Sequence, residues 1–389
     1  MNCFCVTGKN QVKSNTQNPT ISNSTSARNG NMESRVNAEN DEVAVELMNL
    51  TLNDGVSGEP SVQKFSFDEL IAATDNFRSS SVLGQGGFGT VYKGYLPKQK
   101  SVAIKRLDPK GGQGTEEFIA EVKTLCKAKH ENLVKLIGYC AEGEHKLLVY
   151  EYMQWGSVES HLFGRPLGKQ LGVLDWNTRI KIALDVAKAL KYLHVTMNPP
   201  YVYRDLKCSN ILLEAGYKAK LSDFGFARIG PIGDKRLVTT RILGTYGYCA
   251  PDYINTGHLT FKSDIFSFGV VLLELISGRR AVDDSKPDDE KDLVSLARPI
   301  IRDRSRIKEI VDPLLEDKYP WRGLYQMIGI ASFCLDVRPN MRPEIADIVN
   351  ALQYVYSKGC KDQPESYSRF TRVRKRSTSA EKGKAKVTN

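Results

Sequence analysis

Two short polar clusters carry the residue types in this sequence that could do chemistry. The first cluster holds Asp205, Lys207 and Asn210, and the second holds Asp223. The residues between them form two short apolar or alternating runs on either side of Gly216, which predicts a strand, a turn and a second strand. Such a hairpin brings the loops at its two ends together. Two aspartates, a lysine and an asparagine would then converge, a set suited to holding metal ions and orienting a hydroxyl group.

A glycine-rich segment lies well before these clusters. It contains the pattern G-x-G-x-x-G, which dinucleotide-binding folds use to open a helix. Here strand-like residues follow instead, through Gly94 and again at 101–106, so we expect a hairpin. Glycines in a hairpin turn let backbone N–H groups approach phosphates, and an aromatic side chain at the tip could cover the site. The residues of this glycine hairpin are Leu83, Gly84, Gln85, Gly86, Gly87, Phe88, Gly89 and Val91.

Lys105 ends the second of these strand-like runs, beneath the expected glycine hairpin. A lysine that points inward from a strand needs anions, and phosphates together with a carboxylate would serve. The next helix, predicted over residues 114–129, offers two carboxylates. Glu121 lies on nearly the same face as the apolar positions and is the preferred partner of Lys105. Glu117, in the first turn, is the second choice.

The elements around these motifs fall into two groups. A helix is predicted over residues 65–77, opened by a capping box of Ser66 and Glu69. Two further strands are expected at 132–139 and 146–152. The pattern then becomes helical, and Asp175 caps a long amphipathic helix that reaches about His194. That histidine follows the apolar face, so we interpret it as packed rather than as a ligand.

Composition is ordinary for a globular protein inside the cell. The 389 residues are 41% hydrophobic and 26% charged, as in average soluble domains. The sequence contains no run of apolar residues long enough for a transmembrane helix and no secretory signal. The eight cysteines show neither C-x-x-C pairs nor histidines at ligand spacing. They predict thiols of a reducing compartment rather than a zinc site.

Both ends of the chain differ from its middle. Residues 1–64 are polar and poor in aromatic side chains, so we expect disorder there. Within them, Val43 to Leu52 has an amphipathic pattern typical of a short helix or a docking segment. Residues 361–389 carry nine Lys and Arg against three acids and supply most of the net charge of +10. The folded part is therefore not expected to bind nucleic acid, and the disordered tail could contact anionic lipid, act as a nuclear address or simply be solvated.

The first residues contain a candidate site for lipid attachment. Cys3 and Cys5 flank an aromatic residue in a polar region and could be acylated, or could be unmodified thiols. Position 2 is Asn2, which excludes the glycine needed for myristoylation. One acyl chain alone binds membranes marginally, whereas an acyl chain with a basic tail makes a two-signal anchor. We expect peripheral contact with the cytoplasmic side of the plasma membrane, or a cytoplasmic location, with the nucleus less favoured.

From Phe65 to about Tyr356 the sequence resembles the eukaryotic protein-kinase domain. The run R-D-L-K-x-x-N followed by D-F-G carries the resemblance, and YRDLKCSNILL, GTYGYCAP and KSDIFSFGVVLLELISGRRA are similar to plant receptor-like kinases. The layout resembles class VII receptor-like cytoplasmic kinases. It implies a bilobal α+β fold over residues 65–360, with a small β-rich N-lobe at about 65–151 and a large, mostly helical C-lobe at about 152–360.

The resemblance implies a serine/threonine protein kinase that uses ATP and Mg²⁺. Protein substrates, a monomeric state and a receptor kinase at the plasma membrane as a partner are implied as well. Lys207 and Thr245 match the serine/threonine type. The alternative is a catalytically weak scaffold that keeps the fold without the chemistry. Such a protein usually loses the residues equivalent to Lys105, Asp205 or Asp223, and all of these are present here.

Roles for individual residues follow from the same resemblance. Asp205 would accept the proton of the substrate hydroxyl, and Lys207 would steady the transferred phosphoryl group. Asn210 would complete the catalytic loop and hold Mg²⁺ together with Asp223. Contacts to ATP would come from the glycine hairpin, Ala103, Lys105 with Glu121, the hinge residues Glu151 and Met153, and Leu212.

Arg204, directly before the catalytic aspartate, suggests control by phosphorylation. A guanidinium there needs a counter-charge, and a phosphate on the segment 223–252 would provide one. Thr239 and Thr240 are the candidates that we expect to order this segment. Thr245, in the substrate-docking loop, is a further phosphorylation candidate.

Two positions depart from the kinase pattern. Tyr203 replaces the usual histidine before Arg204, and its ring is expected to pack against Phe224. Asp252 replaces the usual glutamate of A-P-E, so its pair with Arg342 is expected to have poorer geometry.

Overall fold

The computed structural model describes residues 62–359, apart from 88, 98, 109–113, 165–171 and 234–235. Its first part is built around a six-stranded sheet. The strands are β1 Gln63–Lys64, β2 Val82–Gly86, β3 Gly89–Leu96, β4 Gln99–Leu107, β5 Leu136–Glu142 and β6 His145–Glu151. Their order in the sheet is β1-β5-β6-β4-β3-β2. Neighbouring strands are antiparallel, except that β1 runs parallel to β5.

Two helices accompany this sheet. Helix α1, Phe67–Ala73, begins with the predicted capping box of Ser66 and Glu69. It ends four residues before the predicted end because Asp75, Asn76 and Phe77 adopt positive φ angles, which a helix cannot continue through. Helix α2, Gly114–Lys127, carries the acidic candidates for the partner of Lys105.

The strand predicted at 132–139 begins later than expected, at Leu136. Residues 132–134 instead exchange hydrogen bonds with Leu221 in the second part of the chain: Leu221 N–H donates to Asn132 at 2.9 Å, and Val134 N–H donates to Leu221 at 2.9 Å. This segment therefore joins the two lobes rather than extending the N-lobe sheet.

The second part is mostly helical. Its helices are α3 Val158–Phe163, α4 Trp176–Lys191, α5 Pro251–Thr256, α6 Phe261–Ser277, α7 Asp288–Lys291, α8 Leu293–Arg302, α9 Trp321–Cys334 and α10 Ile345–Gly359. Three two-stranded ribbons connect them: β7 Tyr201–Val202 with β10 Arg228–Ile229, β8 Ile211–Glu214 with β9 Lys218–Leu221, and β11 Val238–Thr239 with β12 His258–Leu259. The small β-rich N-lobe and larger helical C-lobe confirm the predicted fold class.

Helix α6 lies at the centre of the C-lobe. All of its residues from Ser263 to Ser277 are buried, as befits a helix that is apolar on every face. Helix α4 begins at the predicted Asp175 cap and continues past Lys191 as a π-helical turn. The buried His194 in that turn packs against the C-lobe, with Nε2 2.7 Å from Asp264 of α6.

One large apolar core joins both lobes, and a smaller cluster lies between α1 and the N-lobe sheet. The large core includes Leu148 and Tyr150 of β6 together with Phe224 of the D-F-G segment. Within the described ranges, no helix has the length and hydropathy needed to cross a membrane.

Candidate active site

The catalytic loop, residues 203–210, is held from below by the central helix. Asp264 of α6 accepts hydrogen bonds from the backbone N–H groups of Tyr203 and Arg204, each at 2.8 Å. Its carboxylate is fully buried. Arg204 adopts a φ of 74°, a strained conformation that these bonds help to maintain. The loop that carries Asp205 is thus fixed to the most buried helix of the C-lobe.

The carboxylate of Asp205 is oriented by three side chains. Asn210 Nδ2 donates to Asp205 Oδ2 at 3.0 Å, and the Thr245 hydroxyl donates to Oδ1 at 2.6 Å. Lys207 Nζ lies 2.8 Å from Oδ2 and donates to the Thr245 hydroxyl at 2.8 Å. This arrangement sets a proton acceptor beside a cation, as transfer of a phosphoryl group to a hydroxyl requires.

Lys105 joins the two lobes through a pair of carboxylates. Its Nζ lies 3.1 Å from Glu121 of α2 and 2.8 Å from Asp223. Burial alone would lower the pKa of Lys105, but the two carboxylates outweigh burial and raise it. Burial likewise opposes ionisation of Asp223, yet Lys105 beside it holds the pKa of that carboxyl below its usual range. Lys105 and Asp223 therefore favour their charged forms, whereas burial of Glu121 outweighs Lys105 beside it and raises the pKa of that carboxyl.

Glu121, the preferred partner, also positions the segment after Asp223. Its second oxygen accepts a hydrogen bond from Phe224 N–H at 3.0 Å. Glu117, the second choice, does not pair with Lys105: among the described residues neither of its buried oxygens has a hydrogen-bond partner. Burial raises the pKa of Glu117 to about 7.

Tyr203 packs where the sequence predicted. Its ring meets Phe224 edge-on, with centroids 5.1 Å apart. Its hydroxyl donates a hydrogen bond to the Ser222 carbonyl, the residue before Asp223. Asp223 has a φ of 60°, so this tyrosine supports a metal-binding loop whose backbone is strained.

The glycine hairpin is formed by β2 and β3 above Lys105. Val91 of β3 is the register partner of Lys105. A Cβ atom at Gly84 or Gly86 would meet nothing within 4 Å, whereas one at Gly89 would lie 2.0 Å from the Arg106 carbonyl. Gly89 therefore allows the close turn, and open space remains over the other two glycines where phosphates fit. Phe88, the predicted cover, lies outside the described residues.

The predicted adenine-side residues lie at the junction of the lobes. Ala103 of β4 is half-buried opposite Tyr150 of β6. The carboxylate of Glu151 accepts hydrogen bonds from Lys220 at 2.8 Å, and its N–H donates to the Lys135 carbonyl at 3.1 Å, so both its side chain and its N–H are occupied. Met153 is buried, and Leu212 of β8 is half-buried and bridges to Ser157.

The predicted metal ligands are Asn210 and Asp223. Hydrogen bonds through Ser222 bring their segments together: its N–H and hydroxyl donate to the Asn210 carbonyl at 2.9 and 3.0 Å. Oxygen donors of this type suit a hard divalent cation, with phosphates completing the shell. Over the described part of the chain, no group of three or more His, Cys, Asp and Glu residues could hold a metal by itself.

Arg204 has no carboxylate partner among the described residues. Its guanidinium is buried and donates to the Arg241 carbonyl at 2.9 Å and the Tyr253 hydroxyl at 2.7 Å. Its Nε has no hydrogen-bond partner in the described ranges. Thr239 and Thr240 directly precede Arg241, so the two predicted phosphorylation sites lie next to the carbonyl that Arg204 binds.

Sequence reasoning missed Asp264. Its signal is present in Lys262-Ser263-Asp264, at the start of an apolar helix, but its partners are backbone N–H groups about 60 residues earlier, which sequence spacing does not reveal. The predicted pair of Asp252 and Arg342 is present, through one carboxylate oxygen and Nη2. Arg342 also donates to the Asp336 and Lys262 carbonyls, each at 2.8 Å.

The fold and this set of contacts define a protein kinase. The chain belongs to the protein tyrosine and serine/threonine kinase family, whose model matches residues 77–352. Members of this family use ATP and a divalent metal and act on proteins.

The chain is similar to serine/threonine kinases of Arabidopsis thaliana. It is 56% identical to the probable serine/threonine-protein kinase PBL5 over 318 residues, 82% of this chain and 74% of that protein. It is 54% identical to the probable kinase PBL6 over 84% of this chain and 77% of that protein. With the serine/threonine-protein kinase PBS1 it shares 52% identity over 78% of this chain and 66% of that protein. These relatives confirm the predicted class, a serine/threonine protein kinase of the class VII receptor-like cytoplasmic type, and nothing supports the scaffold alternative.

Proposed function

We propose that this chain transfers the γ-phosphoryl group of ATP to serine and threonine hydroxyls of proteins, with Mg²⁺ as the divalent ion. The observation that carries the proposal is the carboxylate of Asp205, which Asn210, Thr245 and Lys207 hold at hydrogen-bond distance. A side chain oriented in this way is prepared to accept a proton from a substrate hydroxyl.

Different residues would have different roles in transfer of the phosphoryl group. Bound ATP supplies the transferred group, and the metal offsets its negative charge. Lys105, fixed by Glu121 and Asp223, would hold the α- and β-phosphates, while Asn210 and Asp223 would hold the ion. Lys207 would stabilise the charge that grows on the peripheral oxygens. Because these groups are oriented before substrate arrives, little reorganisation is needed in the reaction.

Transfer of radiolabel from ATP to a protein substrate tests this proposal. The Asp205→Asn variant keeps an acceptor and a donor of similar size but removes the base, so the initial rate should fall about 10³-fold. Asp284→Asn, on the exposed surface, is the matched control and should retain the wild-type rate. Equal labelling by wild type and Asp205→Asn would contradict the proposed chemistry. Replacing Mg²⁺ by Mn²⁺ or Ca²⁺ in the same assay tests the choice of metal.

We propose that the kinase acts beneath a receptor kinase at the cytoplasmic face of the plasma membrane. The support is its similarity to the PBL and PBS1 kinases, together with Cys3, Cys5 and the basic tail, which lie outside the described residues. A fluorescent fusion of the wild type should concentrate at the membrane, and a Cys3→Ser/Cys5→Ser variant should move to the cytoplasm. An unchanged distribution would count against acylation as the anchor.

We infer that phosphorylation of Thr239 or Thr240 orders the segment from Asp223 to Asp252. The buried guanidinium of Arg204 supports this: over the described part of the chain its partners are neutral oxygens, and a phosphate beside it would form charge-assisted hydrogen bonds. Thr245 is the weaker candidate, because its hydroxyl is bonded to Asp205 and Lys207. A phosphate there would repel the catalytic carboxylate.

A further inference from the structure

A charged pair lies at the hinge between the lobes, outside the set of side chains assigned to phosphoryl transfer. Lys220 Nζ donates to both carboxylate oxygens of Glu151, each at 2.8 Å. The side chain of Lys220 is 11% exposed and that of Glu151 is 27% exposed. Partly buried pairs are screened much less by salt than exposed pairs are. The contact therefore holds its two residues at a fixed distance.

The carboxylate of Glu151 joins three segments of the chain. Besides Lys220 of β9, it accepts a hydrogen bond from the Lys135 N–H, just before β5, at 2.8 Å. The N–H of Glu151 donates to the Lys135 carbonyl at 3.1 Å in return. Glu151 is the last residue of β6. One side chain thus fixes the end of the N-lobe sheet to a strand of the C-lobe.

Lys220 lies beside the predicted floor of the nucleotide site. It is the register partner of Leu212 in the ribbon of β8 and β9. Residues that lie opposite each other in an antiparallel pair present their side chains on the same face. The next residue, Leu221, exchanges backbone hydrogen bonds with residues 132–134. Backbone contacts therefore hold the strand that carries Lys220, whichever residue stands at 151.

The chain after the hinge has a second attachment to the same ribbon. Leu213 N–H donates to the Gly156 carbonyl at 2.8 Å, and Trp155 N–H donates to the Leu213 carbonyl at 3.3 Å. Met153, predicted to contact the adenine, lies in sequence between this attachment and Glu151. Both ends of the hinge are thus fixed to β8 and β9. Only the end at Glu151 is fixed through side chains, so a substitution can release it.

We propose that Lys220 is a positioning residue for ATP that acts through Glu151. By holding the Glu151 carboxylate, Lys220 fixes the distance between the hinge backbone and Leu212, and with it the width of the slot that the adenine enters. Hydrogen bonds to the hinge backbone weaken when that distance changes. The adenine is remote from the transferred phosphoryl group, so losing the pair should weaken binding without slowing the chemical step. This inference rests on the proposed use of ATP.

Steady-state kinetics, and titration of ADP with Mg²⁺ into the purified full-length protein, test this role. Lys220→Met should raise KM for ATP and Kd for ADP about fivefold, with kcat within about twofold of the wild type. Lys220→Arg keeps a cation that can bind both oxygens and should restore KM and Kd to near the wild-type values. A purely structural role would lower Tm but would not separate KM from kcat.

Lys218→Met is the matched control. Lys218 lies two residues earlier on β9, and its Nζ is 2.8 Å from Glu131, which is not part of the hinge. Removing this more exposed pair should change neither KM nor Kd. Unchanged KM and Kd in Lys220→Met would overturn the proposal, and so would equal changes in both variants. A fall in kcat at constant KM would overturn it as well, because Lys220 would then act on the chemical step.

A double-mutant cycle tests whether Lys220 acts through Glu151. Glu151→Gln keeps an oxygen for the Lys135 N–H but removes the charge that Lys220 binds, and it should also raise Kd for ADP about fivefold. Combining Glu151→Gln with Lys220→Met should raise Kd no further than either change alone, because both break the same contact. Independent effects that multiply to about 25-fold would overturn action through the pair.

The wild-type titration separates this inference from the proposed function. Binding of ADP by the wild type, with the same Kd in Lys220→Met, would refute the positioning role and leave the proposed chemistry intact. A wild type that binds no ADP in the presence of Mg²⁺ would overturn both.

Discussion

The nucleotide cleft and the region directly below it differ in whether their buried charged side chains have partners of opposite charge. In the cleft, Lys105 contacts two carboxylates, and Asp205 is bonded by three side chains. Below it, Arg204 has only neutral oxygen partners among the described residues. Burying a cation without an anion beside it lowers stability. Ion pairing therefore accounts for the burial of Lys105 but not for the burial of Arg204.

This difference separates residues that take part in phosphoryl transfer from a residue that would bind a regulatory phosphate. The charges of Lys105, Asp205 and Asp223 are compensated within the chain, so their geometry is ready before any ligand arrives. Among the residues that the structure describes, no carboxylate compensates the guanidinium of Arg204, and the proposed phosphate on the neighbouring segment would supply that negative charge. Glu274 below the cleft is similar in part: Oε1 accepts from Tyr248 and Ala281, but Oε2 is buried without a partner in the described ranges.

The largest effect is expected from breaking the compensation in the cleft. Lys105→Met should lower kcat/KM about 10³-fold, because ATP loses its cation and two carboxylates are left facing one another. Initial rates measured against ATP concentration check this. Lys218→Met, which removes an exposed pair with Glu131, is the control and should leave the rate unchanged. A loss of stability without a loss of rate would show that Lys105 is structural.

The next effect concerns the half-compensated Glu274. Burial raises its pKa from 4.5 to about 7, so the folded state favours the protonated form. That contribution to stability is present below about pH 4.5 and is lost as the pH rises through about 7. The free energy of unfolding of the wild type should therefore fall between pH 5 and 8 relative to Glu274→Gln, by at most about 3 kcal/mol. Urea titrations at both pH values measure it, and parallel pH dependences of the two proteins would refute it.

A smaller effect is expected from removing the threonines whose phosphate would supply the counter-charge of Arg204. The Thr239→Ala/Thr240→Ala variant should lose about tenfold in substrate turnover, because Arg204 then has no phosphate to bind. Phosphatase treatment should bring the wild type to the same level. Ser357→Ala, on the exposed surface of α10, serves as the control. Full turnover by the double variant would mean that the segment is ordered without a phosphate.

The smallest effect belongs to a compensated pair with a short side chain. Asp252 reaches Arg342 through one oxygen, so Asp252→Glu should allow a second contact and raise Tm by about 2 °C. Asp284→Glu, at an exposed position, should not change it. A lower or equal Tm for Asp252→Glu would show that the site is fitted to the shorter residue.

Much of the site was predictable because it depends on residue type at fixed spacing. The hairpin that joins Asp205 to Asp223, the choice of Glu121 over Glu117 and the packed role of His194 all follow from periodicity and local chemistry. The late start of β5 did not, since residues 132–134 pair with a strand in the other lobe. The early end of α1 depends on three consecutive positive φ angles, which side-chain patterns do not encode.

Asp264 shows why the rest of the site could not be predicted from the sequence. A carboxylate within an apolar helix signals burial, but not which groups it will bind. Its partners are the backbone N–H groups of Tyr203 and Arg204 and the ring of His194. They come from segments whose positions are fixed only when α4 and the catalytic loop pack on α6.

The hydrogen bonds of Asp264 to the catalytic loop affect how the enzyme should lose activity on heating. The catalytic loop is tied to the helix at the centre of the C-lobe core, so it should not come loose while that core survives. Loss of activity on heating should then coincide with cooperative melting of the C-lobe rather than precede it. We therefore expect no temperature range in which the C-lobe is folded but the enzyme has lost its activity.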